Sequence, residues 1–239
     1  MEPNYQPEPK YPPEAYRGFR AALPDFFIGW PTGADQERAV RRLALRPGDC
    51  VLDAACGPGF NLSRLARAVG PDGLVVAVED NPHLLARAQD KVRRAGWANV
   101  RLLSELAPGQ FERRTVDAVI ISYNPPIFLQ RKDLLETAWQ LLKAGGRISL
   151  VAGRCTTPVG RAFGPLILLG LRLAGHAGDW HYWTVHQPWQ HLEELAAGRL
   201  WVEPRWGFQY ILWAEKLEGS EGCERGDTAA TELTEGRKS

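Results

Sequence analysis

Short apolar runs alternate with amphipathic stretches along most of the chain, and this alternation sets the expected fold. Residues 35–45 (DQERAVRRLAL) form an amphipathic helix closed by the turn Arg46-Pro47-Gly48-Asp49. Cys50–Ala54 is a short buried strand, and residues 61–69 are a helix stopped by Gly70-Pro71-Asp72-Gly73. Leu74–Val78 is a second strand, followed by a helix over Pro82–Ala95 that ends at Gly96. Val100–Leu103 and residues 117–122 are the third and fourth strands. Residues 132–142 form a helix ending at Gly145-Gly146, and residues 147–152 are the fifth strand. Short apolar strands separated by helices imply a parallel sheet with helices on both faces.

Later, the rhythm changes. Residues 162–174 and 189–197 read as helices, but 200–206 and 208–216 are two strands separated by Gly207 alone. So short a connection can only make an antiparallel pair. The expected architecture is therefore α/β: a doubly wound, Rossmann-like sheet of seven strands, mostly parallel, with a C-terminal antiparallel hairpin. Residues 1–13 are proline-rich and read as a flexible arm. Residues 14–34 gather Tyr16, Phe19, Phe26, Phe27 and Trp30 and read as an aromatic lid. The main domain covers 35–218, with an insertion at 154–198, and 219–239 read as a disordered tail.

Composition adds bounds. The 44% hydrophobic and 24% charged fractions are those of a globular protein, and the net charge of +1 gives no bulk attraction to nucleic acid. No apolar run approaches bilayer length, and nothing resembles a signal peptide. Cys50, Cys56, Cys155 and Cys223 show no paired spacing, so neither a metal site nor a disulfide framework is indicated. A reduced, cytoplasmic setting is expected.

The chemistry concentrates in residues 51–60 (VLDAACGPGF), a glycine-bearing loop between a strand and a helix. Gly57 and Gly59 are followed by Leu62 where a dinucleotide fingerprint requires a third glycine, which disfavours a nicotinamide-dependent oxidoreductase. Asp53 stands at the strand end, where its charge repels a pyrophosphate and attracts an ammonium group. Glu79 closes the next strand, where an acid can bind both ribose hydroxyls. Ribose and ammonium recognition without a pyrophosphate site describes S-adenosylmethionine. Cys56 reads as a small residue that fits the loop, with nothing beside it to activate a thiolate.

These residues carry a resemblance. The run 51–59 resembles motif I of the class I S-adenosylmethionine-dependent methyltransferases, and 75–82 (VVAVEDNP) resembles their second motif, with Glu79 as the ribose acid. Residues 117–123 (DAVIISY) look like their fourth strand, and 141–150 (LLKAGGRISL) like the helix, turn and fifth strand. The resemblance covers residues 35–152, is extended by the hairpin to Lys216, and is strongest to the small-molecule, quinone-methylating type. It implies cofactor contacts from Asp53, Ala55, Cys56, Gly57, Gly59, Glu79, Asp80, Ser104, Glu105, Ser122 and Tyr123. Asp80 shares or replaces the role of Glu79. Ser104-Glu105-Leu106 stands where quinone-methylating members carry Gly-Asp-Ala, so Glu105 would meet the adenine from one position earlier.

The acceptor side is less defined. Methyl transfer needs alignment and exclusion of water, and a base only for some acceptors. Asn124-Pro125-Pro126 resembles the motif of enzymes that methylate planar nitrogens, but Ile127 occupies the aromatic position and Phe128 comes one place late. His176, His181, His186 and His191 recur at a spacing that does not suit a shared metal. His181 or His186 is the candidate base, with Tyr123, Asn124, Phe128 and Trp183 lining an apolar acceptor pocket. Six of the nine tryptophans fall between Trp180 and Trp213.

The expected function is an S-adenosylmethionine-dependent methyltransferase acting on a small hydrophobic or aromatic acceptor. The alternatives are a non-catalytic cofactor-binding subunit and an N-methyltransferase built on Asn124-Pro125-Pro126. No metal or nucleic acid is expected, contact with a membrane surface is an alternative use of the apolar insertion, and the oligomeric state is open.

Overall fold

The computed structural model describes residues 30–106, 111, 115–122, 132–153, 162, 164–166, 169, 190–205 and 209–218. Its elements run α1 (Trp30–Arg42), β1 (Cys50–Ala54), α2 (Leu62–Val69), β2 (Leu74–Val78), α3 (Pro82–Ala95), β3 (Val100–Leu103), β4 (Val116–Ser122), α4 (Lys132–Leu141), β5 (Leu142–Gly153), α5 (Gln190–Leu195), β6 (Leu200–Arg205) and β7 (Gln209–Glu215). The seven strands form one sheet in the order β3-β2-β1-β4-β5-β7-β6. Strands β1 to β5 pair in parallel, whereas β7 is antiparallel to both β5 and β6. This is the doubly wound sheet with a terminal antiparallel hairpin that the sequence pattern implies.

Side-chain alternation divides the core into two layers. Leu52, Val76, Val119, Ile148, Leu150 and Leu212 face α4 and α5, with Leu135, Trp139 and Leu192 packed among them. Val51, Val75, Ala77, Ala118, Ile120 and Ile211 face α1, α2 and α3, meeting Ala39, Leu43, Leu62, Leu65 and Ala88. Strand order reverses between β1 and β4, which pair directly with Asp53 opposite Ile120. In sheets of this kind ligands bind outside the carboxyl ends of the strands at that reversal.

The largest departures from the expected boundaries fall in the first helix and the fifth strand. The first helix begins at Trp30 rather than residue 35 and ends at Arg42 rather than 45, so residues 30–34 of the expected lid belong to α1. Pro31 is tolerated there because the first turn of a helix has no intrahelical partner for its missing N–H. Tertiary contacts carry the rest: the Arg64 guanidinium donates to the Gly33 carbonyl, and Asp35 is fully buried. The fifth strand begins at Leu142 rather than 147 and contains a break in register, with Val116 opposite Leu142 and then Ala118 opposite Arg147. Within that break the Gly145 N–H donates to the Lys216 carbonyl (2.7 Å) and the Lys216 N–H to Gly146 (2.9 Å). The Gly145-Gly146 turn is thus stitched to the end of β7.

Helix α1 lies over β4, β5 and β7 and is tied to the hairpin by charge. Arg205 Nε donates to buried Asp35 at 2.7 Å, Arg42 pairs with Glu203 at 2.8 Å, and the Arg42 guanidinium sits 4.1 Å over the Trp213 ring. Among the described residues, no helix is long and apolar enough to cross a membrane.

Candidate functional site

The loop after β1 is built by backbone hydrogen bonds. The N–H groups of Ala55 and Cys56 both donate to the Val78 carbonyl at 2.9 Å, which holds the loop against the end of β2. Ala55, Gly57 and Gly59 all have positive φ, at 92°, 57° and 80°. Gly59 combines a φ of 80° with a site where a Cβ would lie 2.7 Å from Leu62 Cδ1, so glycine suits the close start of α2. From α3, Lys91 Nζ donates to the Gly59 carbonyl at 2.8 Å and fixes the outer side of the turn.

Two carboxylates define the interior. Asp53 has no exposed surface, and neither of its oxygens has a protein partner. Burial, and then the charge of Glu79, raise its pKa to about 8. Glu79 is held differently: Oε2 accepts from the Gly57 N–H at 2.8 Å and Oε1 from the Asn81 N–H at 2.9 Å. Burial still raises its pKa to about 7, against the lowering effect of those N–H groups and with a further rise from Asp80. Asn81 caps α3, accepting from the N–H groups of His83 (2.9 Å) and Leu84 (3.3 Å) ahead of Pro82 at the helix start.

A buried carboxylate without a partner is costly unless a cation or donor joins it. The natural complement to Asp53 is a ligand ammonium, and the glycine loop beside it leaves backbone room for the rest of an S-adenosyl group. The residues present therefore fit S-adenosylmethionine. Three further buried polar atoms lie on neighbouring segments, at the starts of α2 and α3 and on α1. These are Asn61 Oδ1, Asn81 Nδ2 and Gln36 Nε2, none with a partner.

The other expected site residues fall into three groups. Cys56 lies buried in the loop, and burial, then Asp53 and Glu79, push its thiol well above its ordinary value, so it has no thiolate character. Ser122 ends β4 on the face shared with Asp53. Asp80 is half-buried beside Glu79, while Ser104 and Glu105 are exposed after β3, with Leu106 turned into the core. Tyr123, Asn124, Phe128, His181, Trp183 and His186 lie outside the described residues, as does Asn124-Pro125-Pro126. Of the four evenly spaced histidines, His191 alone is described, and it has a structural role. Its Nε2 lies 2.9 Å from Glu136 and joins α5 to α4. No cluster of metal-ligating side chains occurs among the described residues.

Sequence reasoning did not single out Asn61, Gln36, Arg64 or Lys91. In sequence, Asn61 is the first residue of an expected helix and Lys91 lies within another. Only the three-dimensional placement shows that both touch the loop.

Residues 51–146 match the family described as "Methyltransferase domain". An arsenite methyltransferase of Halobacterium salinarum is 29% identical over 108 residues, which is 45% of this chain and 28% of that protein. A demethylmenaquinone methyltransferase of Bacillus cytotoxicus is 29% identical over 129 residues, 52% of this chain and 53% of that one. The chain thus spans about half or less of these curated relatives. The crystal structure of an S-adenosylmethionine-dependent methyltransferase from Aquifex aeolicus superposes with a TM-score of 0.59 at 18% identity, covering 83% of this chain and 98% of that one. With the sheet order, the glycine loop and the two buried acids already in place, residues 51–146 match a methyltransferase domain, in a sheet with the fold of S-adenosylmethionine-dependent methyltransferases.

Proposed function

We propose that the protein transfers a methyl group from S-adenosylmethionine to a small hydrophobic or aromatic acceptor. The observation that carries the reading is the fully buried, unpartnered Asp53 carboxylate beside the glycine loop, at the point where strand order reverses. The cofactor, when bound, supplies an electrophilic methyl carbon on a sulfonium whose charge already activates the leaving group. The chain's own residues have to bind, orient and exclude water. Asp53 would meet the ammonium, Glu79 with Asp80 the ribose hydroxyls, and the exposed pair Ser104 and Glu105 the adenine. Ala55, Cys56, Gly57 and Gly59 would offer backbone to the amino-acid and ribose portions. Ser122, at the end of β4, and Tyr123 would complete the cofactor contacts.

The acceptor class is inferred from the tryptophan-rich second half and from the resemblance to quinone-methylating enzymes. The exposed Leu166 and Leu169 within the 154–198 insertion also suit an apolar acceptor or a membrane surface that delivers one. Tyr123, Asn124, Phe128 and Trp183 are proposed to line the acceptor pocket, with His181 or His186 as base where the acceptor must lose a proton. Residues 14–29, continuing into α1, are proposed to close over the site. The test is turnover: purified protein is incubated with S-adenosylmethionine and a panel of demethylated quinones, phenols and aromatic amines, and S-adenosylhomocysteine formation is followed. Acceptor-dependent product is expected from an apolar aromatic member of the panel. Tight cofactor binding with no turnover on any class would leave a binding subunit instead.

A further inference from the structure

Asn61 stands at the start of α2, where asparagine ordinarily caps the helix with its side chain. It does not do so here. No side-chain cap bond forms, and its backbone is already in the helical region at φ −94° and ψ −14°. Asn81, in the corresponding place before α3, does cap its helix. The Asn61 amide instead crosses to β4, where Nδ2 donates to Ser122 Oγ at 3.0 Å. The residue is 1% exposed, and Oδ1 is buried with no partner. An unsatisfied buried acceptor loses its hydration without replacement, so a side chain that gives up a cap and leaves its oxygen orphaned calls for a partner from outside the chain.

The position of that oxygen follows from strand register. Asp53 pairs with Ile120, and both lie on the sheet face that meets α1 and α2. Ser122 is two residues beyond Ile120 on the same strand, hence on the same face and one step nearer the carboxyl edge. Bonded to Ser122, Asn61 therefore closes over the face that holds Asp53. Asp53 contributes two unpartnered oxygens and Asn61 a third. A ligand ammonium has three N–H donors and no acceptor. A neutral amide also suits the third place, because another carboxylate beside Asp53 and Glu79 would add to their mutual repulsion.

We propose that Asn61, held by Ser122, is a cofactor-contact residue whose side-chain oxygen joins Asp53 in receiving the ammonium at the amino-acid end of the nucleoside. This rests on the cofactor reading above. The experiment is calorimetric binding of three probes to the full chain. S-adenosylhomocysteine carries ammonium and carboxylate; its decarboxylated amine keeps the ammonium alone; 5′-methylthioadenosine has neither. Asn61→Leu is expected to weaken the first two by about tenfold or more, the scale of a hydrogen bond to a charged group, and to leave methylthioadenosine unchanged. Equal losses for all three probes would mean that Asn61 only shapes the loop, and would overturn the proposal. A loss confined to S-adenosylhomocysteine would assign the contact to the carboxylate and overturn it too. Where the leucine variant does not fold, Ser122→Ala removes the bond that holds the Asn61 amide and should weaken both ammonium probes while sparing methylthioadenosine; equal effects on all three probes there overturn the proposal. A wild-type chain that binds none of the three removes the cofactor reading itself, a different result from selective failure of the variants.

Discussion

Glu79 accepts the Gly57 N–H with one carboxylate oxygen, at 2.8 Å, so the acid at the end of β2 is tied directly to the loop at the end of β1. Its second oxygen is tied to Asn81. One side chain thus sets both the shape of the glycine loop and the start of α3, and it retains lone pairs for a ligand hydroxyl. Glu79→Ala should weaken S-adenosylhomocysteine binding by about 1.5–3 kcal/mol, the scale of bonds to a charged group. Asp80→Ala should cost less, because Asp80 is only half-buried beside Glu79. Calorimetry on both variants checks the order; the reverse order would make Asp80 the ribose ligand.

Asp53 and Glu79 make the ligand-free protein sensitive to pH. Unfolded, such acids titrate near their ordinary values of about 4; folded, they hold protons to about 8 and about 7. Between those limits the native state binds more protons than the unfolded one, so stability falls as pH rises from about 4 towards 8 and levels off above. Urea unfolding at a series of pH values should show this decline, and Asp53→Asn should flatten most of it. A cation bound beside Asp53 favours the ionised form, so cofactor binding should release protons below about pH 8 and tighten as pH rises towards it. Binding heats compared in buffers of different ionisation enthalpy count those protons; no release would argue against an ammonium at Asp53.

Much of this was legible in the sequence. Strands β1, β2 and β3 and helix α3 fall on the expected residues: β1 and β2, buried on both faces, read as short apolar runs, and Asn81-Pro82 with Gly96 marks both ends of a helix. The start of α1 was hidden, since Pro31-Thr32-Gly33 has poor helix propensity, while Arg64 holds Gly33 and the hairpin holds Asp35 and Arg42 further along the helix. The break in β5 was hidden because its turn is stabilised by Lys216, far along the chain. Asp53 and Glu79 announced themselves as acids flanking a glycine loop. Asn61 did not, because a polar residue before a helix has an adequate local explanation until its side chain is seen bonded elsewhere.

Ala55 occupies φ 92° without being glycine. Such a backbone costs of order 1–3 kcal/mol in a residue with a Cβ, while glycine adds about 0.4–1 kcal/mol of unfolded-state entropy. Ala55→Gly should therefore raise the thermal midpoint modestly. A lower midpoint would mean that the packing of the methyl group against the core outweighs the strain.

Lys216 is buried at the end of β7, with Nζ donating to the carbonyls of Trp139 (2.6 Å) and Leu142 (2.9 Å) where α4 gives way to β5. These carbonyls belong to a helix terminus that favours positive charge. Lys216→Met should fill the same space yet lose about 1.5–3 kcal/mol in urea unfolding. Affinity for S-adenosylhomocysteine should be unaffected, since the contact lies away from the carboxyl ends of β1 and β4.

Asp35 and Arg205 join α1 to β6 across 170 positions of chain at 2.7 Å, and the acid is 1% exposed while the guanidinium is 23% exposed. Removing one partner of such a pair is asymmetric. Arg205→Ala strands a buried carboxylate, one of whose oxygens already has no partner, and should cost about 3–5 kcal/mol. Asp35→Asn leaves an uncharged acceptor against an arginine that can turn partly to water, and should cost less. The double variant should recover part of the arginine loss, because the stranded charge is then gone. Helix α1 also presents Gly33 and Gln36 to Arg64 at the start of α2, immediately after the glycine loop. Loosening α1 from the hairpin should therefore weaken cofactor binding in proportion to the loss of stability. Urea unfolding of the three variants, paired with binding of S-adenosylhomocysteine by each, tests both halves. If Arg205→Ala is as stable as the parent chain, the pair does not anchor α1. If stability falls while affinity holds, α1 is fixed to the loop by Arg64 alone.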